Sequence, residues 1–274
     1  MNLQSLGFIT KKDNIIQIEE IRKLSETEYQ KFLESLKDLY KIDDEIALFH
    51  MIYINYIDFY EYMKYITSNF HEIQYTETKI KNYINNLNCK LNNFLSAFRL
   101  YVDHFDRKIT DEYGKDSEEY KLFQNEISRL FDNYFPYRFF YHLRNYIQHR
   151  NVAISILEIY EDSEKIELKI ALNRDELLSD YKWHSLVKKD LIKQDEDIEI
   201  FSLMSELIKN LKDLTKILIR DELKKLNESV EFIESLIYEI DENNSPLIFD
   251  YSRDNIVYSD FPIDLLNFIE YIIK

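Results

Sequence analysis

A chain of 274 residues with 2 Gly and 3 Pro is too poor in turn formers for an all-β sandwich or a doubly wound α/β fold. Its 45% hydrophobic and 15% aromatic content supplies a core and excludes a disordered chain. The 51 acidic against 35 basic residues leave a net charge of −16, which argues against loose nucleic-acid binding through a general basic surface, though not against a site with its own local field.

One cysteine excludes an internal disulfide and a cysteine-rich metal site, and Cys89 reads as a small buried residue on a helix. No basic start leads into an apolar run, and no segment approaches ~18 uninterrupted apolar residues. The expectation is a cytoplasmic chain with neither signal peptide nor membrane contact. The fold class is mainly α, in one domain spanning 1–274.

In chain order, Ile15, Ile16, Ile18 and Ile21 suit a short strand or an extended arm. Ser25 and Glu28 form a capping box, which predicts a helix to about Lys41. A second helix is expected over 43–69, carried by Ile46, Phe49, Ile52, Tyr56 and Tyr60 at helical spacing. A third is expected over 72–108, through Ile84, Leu87, Leu91, Leu95 and Phe98. Between Glu77 and Asp103 this helix holds no acid, only Lys79, Lys81, Lys90 and Arg99. Residues 110–115 read as a loop, and Asp116 with Glu119 as the cap of a fourth helix to about Phe131.

Pro136 suits the first turn of the next helix, expected to end near Arg150. Alternation over 152–157 and 166–170 predicts a β-hairpin within about 152–172. A short helix over 174–181 and an irregular stretch around Trp183 and His184 follow. C-terminal helices occupy about 197–274: one long helix over 198–240, or two joined near Asn227, then a break at 241–246 and a last helix after Pro262.

The helix beginning at Pro136 holds the densest cluster of reactive side chains. From Asn133 to Leu157 there is no carboxylate, while Arg138, Arg144, Arg150, His142 and His149 all fall there. Arg138, His142, Asn145 and His149, spaced 4, 3 and 4, share one stripe, and Phe139, Leu143 and Tyr146 form an apolar one. Arg144 lies five residues before His149, a rotation of about 140° on an ideal helix, so one chain does not join the two well.

A neutral His takes a proton from a hydroxyl, an Arg braces phosphoryl charge, and an Asn orients the His ring or binds a phosphate oxygen. That set suits RNA cleavage by attack of the ribose 2′-OH on its own phosphate, without a metal or other cofactor. Bland readings stand beside it. His142 suits a core or interface position, Arg138 and Arg150 suit a surface, Trp183 suits a packing anchor, and His50, His71 and His104 have no partners at metal-ligand spacing.

The run Arg144-Asn145-Tyr146-Ile147-Gln148-His149 resembles the Arg-x4–6-His signature of the HEPN superfamily of ribonucleases, including the polar residue those proteins favour directly after the Arg. The resemblance implies a HEPN-like helical bundle with its core over about 26–150, carrying a β-hairpin insertion after the motif helix and a C-terminal helical elaboration. It implies Arg144, Asn145 and His149 as the catalytic set; Arg138, His142 and Arg150, the other basic residues of the acid-free run, are the candidates for binding the RNA substrate. It implies a homodimer with a composite active site, no metal, a toxin–antitoxin or anti-phage role, and a separate antitoxin or defence partner. Two alternatives stay open: a non-catalytic adaptor or sensor subunit of a defence complex, and a helical structural protein with a chance motif.

Overall fold

A computed structural model describes residues 3–12, 15–69, 71, 76–162, 165–252 and 255–274. Among them the fold is mainly α, with two small antiparallel sheets. No helix among these residues is long and apolar enough to cross a membrane. The chain divides into two compact units, residues 1–46 with 216–274, and residues 47–215.

The first unit opens with an antiparallel pair, β1 (Gln4–Lys12) and β2 (Ile15–Lys23). The isoleucines over 15–21 therefore belong to a paired strand. The register shifts between Leu6 and Gly7, and a Cβ at Gly7 would lie 2.2 Å from the Glu19 carbonyl oxygen. Only glycine allows that close approach. Helix α1 (Glu26–Ser68) starts at the expected box: Ser25 N–H donates to Glu28 Oε2 at 2.8 Å and Glu28 N–H donates to Ser25 Oγ at 3.2 Å. It then runs unbroken through residues 41–43, correcting the expected two helices, because neither Gly nor Pro interrupts the pattern there.

The C-terminal part of this unit contains the end of α7 (Ile200–Leu218), α8 (Arg220–Ile237), β6 (Leu247–Asp250), β7 (Val257–Asp260) and α9 (Ile263–Ile273). The helix break comes at Ile219 rather than near Asn227. Strands β6 and β7 extend the sheet to the order β2-β1-β6-β7. They are four residues each and supply too little alternation to stand out in sequence. Phe32 meets Phe261 with ring centroids 5.1 Å apart, and Arg22 grips Glu239 through Nε at 2.7 Å and Nη2 at 2.9 Å.

The second unit holds the rest of α1, then α2 (Glu77–Tyr113), α3 (Glu118–Asn133) and α4 (Phe135–His149). The expected start of α2 near residue 72 lies outside the described residues. The helix opens at Glu77 on a Thr76 cap and continues to Tyr113, through most of the expected loop. Ser117, not Asp116, caps α3, accepting from Tyr120 N–H at 3.1 Å while its hydroxyl donates to Gly114 O at 2.7 Å. Pro136 sits in the first turn of α4 as expected.

The hairpin after α4 is present as β3 (Ile156–Asp162) and β4 (Lys165–Asn173). Short helices α5 (Arg174–Asp180) and α6 (Ser185–Leu191) follow, and β5 (Asp197–Glu199) completes the order β3-β4-β5. Helix α6 falls where an irregular stretch is expected. Residues 152–155 are not strand, because another group holds their backbone. Buried Asn88 on α2 accepts from Ala153 N–H at 3.1 Å and Ile154 N–H at 2.9 Å, and donates to Ile154 O at 2.9 Å. The next residue, Cys89, is exposed, which corrects the expectation that it is buried. The polar neighbour is inside and the thiol is outside.

Candidate functional site

Helix α4 is anchored by its apolar stripe. Phe140 meets Phe94 of α2 edge-on at 5.8 Å, and Tyr137 meets Phe98 at 5.3 Å. On another side Phe139 and Tyr146 lie at 6.0 and 5.7 Å from the Trp183 ring. Trp183 is buried and its indole N–H donates to Leu177 O at 2.6 Å, so it packs as a satisfied anchor. The helix ends with the Arg150 N–H on Tyr146 O at 2.9 Å. His149 lies in the last turn of the helix.

The six residues singled out in sequence take different positions. Arg138 is buried at 9% exposure. Its Nε and Nη2 each lie 2.6 Å from Asp190 Oδ2 of α6, and its Nη1 donates to the Phe131 and Asp132 carbonyls at 2.8 and 3.2 Å. The guanidinium thus caps the C-terminal end of α3 and ties three helices together. The acid missing from this stretch of sequence is supplied in space by Asp190.

His142 is half-buried. It stacks on His184 at 5.4 Å with 14° between the rings, and meets Phe131 and Tyr141 edge-on at 6.2 and 5.6 Å. Burial, then His184, then Arg99 hold its pKa below the ordinary histidine value. His184 sits at the N-terminus of α6, where its Nδ1 accepts the Leu186 N–H at 3.4 Å. Its pairing with His142 had no signal in sequence, since the two lie 42 positions apart.

Arg144 and Asn145 are half-buried, and His149 and Arg150 are exposed. The Arg144 Nε is buried and has no hydrogen-bond partner. Among the described residues no ion pair involves Arg144, and no hydrogen bond joins it to Asn145 or His149. Arg144 and His149 are brought onto one helix but not into contact. Arg138 and Arg144, six residues apart on the same helix, are thus opposite cases: one guanidinium is neutralised by a carboxylate and the other is not.

The acid-free run of α2 does not add a free basic patch. Lys81 pairs with Glu77 at 2.6 Å and Lys90 with Asp58 at 2.7 Å. Arg99 pairs with Asp103 at 2.9 Å while lying 4.2 Å over the Tyr141 ring. Among the described residues, no cluster of three or more His, Cys, Asp or Glu has metal-binding geometry.

Compared with protein-family models, curated proteins and solved structures, the chain finds no match. The geometry of α4 is therefore what any functional reading rests on. A separate open pocket of about 550 Å³ lies among α2, α3 and α4. Of the six residues only His142 lines it.

Proposed function

We propose that this chain is a HEPN-like, metal-independent endoribonuclease, completed as a homodimer, in a toxin–antitoxin or anti-phage role with a separate protein as antitoxin or partner. The observation that carries the reading is Arg144. Its Nε is buried without a partner, on a helix with no acid of its own. Leaving a buried donor unpaired costs about 1–3 kcal/mol, a cost that an incoming phosphate oxygen offsets. His149, exposed at the helix end, takes the 2′-OH proton. Asn145 and Arg150 flank the pair and hold the phosphate. Arg138, already committed to Asp190, acts on the scaffold rather than on substrate.

In this reading one subunit's His149 works beside its partner's Arg144, because five residues of helix separate them by about 140° within a chain. A second reading, a non-catalytic adaptor or sensor, draws on that same separation.

The test uses the purified full chain with RNA in EDTA, scoring 2′,3′-cyclic phosphate ends. His149→Ala should lower the rate by about 10²–10⁴-fold, and Arg144→Ala by about 10²–10³-fold. Mixing the two inactive variants should restore roughly a quarter of wild-type activity if subunits exchange freely, since half of the dimers then carry one intact composite site. Wild-type cleavage by either variant refutes the assignment. A mixture that stays inactive despite confirmed exchange refutes the composite site. A full chain that cleaves no RNA but retains a stable protein partner supports the adaptor instead.

A further inference from the structure

The pocket among α2, α3 and α4 has a chemistry unlike that of the ribonuclease site. Three carboxylates line it, Asp103 and Asp106 from α2 and Asp132 from α3, and no lysine or arginine does. Arg99 already offsets Asp103. Asp106 accepts from Gln124 Nε2 at 2.6 Å, a neutral partner that leaves its charge in place. Among the described residues neither Asp106 nor Asp132 is in an ion pair. The rest of the wall mixes rings, Phe123, Phe131, Tyr141 and His142, with aliphatic and neutral polar side chains.

Tyr137 supplies a second, independent observation. It lines the same pocket, is 1% exposed, and its hydroxyl is buried with no hydrogen-bond partner. Burial raises its pKa, so it stays a neutral hydroxyl able to accept as well as donate. An unpaired buried hydroxyl is uncommon and calls for a partner.

We propose that this pocket binds an organic cation, a primary ammonium or guanidinium on an apolar stem, with Asp106 and Asp132 pairing its charge, the rings enclosing its stem and Tyr137 accepting one of its N–H groups. Carboxylates favour a cation and repel nucleotides, aromatic faces favour the same charge, and about 550 Å³ is ordinary for a small-molecule pocket. The cation is either a free diamine-like compound or a basic side chain presented by a protein partner. The site does not depend on the ribonuclease reading, since Arg144, Asn145 and His149 do not line it.

Calorimetric titration of the full chain decides it, with agmatine and an acetyl-Gly-Arg-Gly-amide peptide as cationic probes and guanosine and AMP as controls. At least one cationic probe should bind, and Asp106→Asn and Asp132→Asn should each weaken it about tenfold while leaving thermal melting unchanged. Tyr137→Phe should weaken it less. Agmatine binding at least as tightly as the peptide indicates a free compound, and peptide binding ten times tighter indicates a partner's side chain. The proposal is overturned by absence of binding of both cationic probes at 10 mM, by wild-type affinity in both aspartate variants, or by preference for guanosine or AMP.

Discussion

Replacing Asn88 with Ala tests how the scaffold holds the end of the motif helix. The Asn88 side chain satisfies three buried backbone groups, Ala153 N–H, Ile154 N–H and Ile154 C=O, at 2.9–3.1 Å. A backbone group left buried and unpaired costs about 1–3 kcal/mol. Some water reaches the site once the amide is gone, so ~1 kcal/mol per group is the fitting figure, or about 3 kcal/mol in all. Because Ala153 and Ile154 lie three and four residues after Arg150, the same change loosens the position of His149 and, on the ribonuclease proposal, should lower RNA cleavage. Trp183 is the only tryptophan and lies buried against α4, so urea unfolding followed by its fluorescence reports on this unit. Cys89→Ser, one residue away and exposed, should shift stability by less than about 0.5 kcal/mol. An Asn88→Ala loss below 1 kcal/mol, or a Cys89→Ser loss that exceeds it, would refute the reasoning.

Other outcomes follow from the same contacts. Asp190→Asn leaves the buried Arg138 charge without its partner and should cost about 3 kcal/mol, whereas the paired change Arg138→Met with Asp190→Leu should recover much of that loss; urea midpoints of the single and double variants check both. His142 has a folded-state pKa below its unfolded value of about 6.5, so protonation is penalised in the fold. Its contribution is fully present above pH ~6.5, is lost as the pH falls through that value, and levels off below the depressed folded pKa. Melting temperature against pH should therefore fall more steeply between pH 6.5 and 5 for the wild type than for His142→Gln, and parallel curves would contradict this.

Local chemistry was legible wherever it acts over a few residues. Ser25 and Glu28 three apart are enough to start α1, and Pro136 is enough to start α4, since helix ends are set by neighbouring backbone groups. Periodicity placed Phe139, Leu143 and Tyr146 in the core. The same signal failed where a pattern was short, as at β6 and β7, or where a break was inferred from spacing alone, as between residues 41 and 43. Cys89 and Asn88 show the limit most clearly. Hydrophobicity favours the thiol inside, but a buried segment with unpaired amides needs the carboxamide more.

The candidate site divides along the same line. Sequence by itself placed Arg138, His142, Arg144, Asn145 and His149 on one acid-free helix, because composition and helical spacing are properties of the chain. It did not show which of Arg138 and Arg144 a carboxylate neutralises. Tertiary structure separated them by bringing Asp190 to Arg138 from 52 positions away, while leaving the Arg144 Nε buried without a partner. It also set His184 against His142. Charge acts through space and not along the chain, so which cation is already neutralised is decided only by the fold.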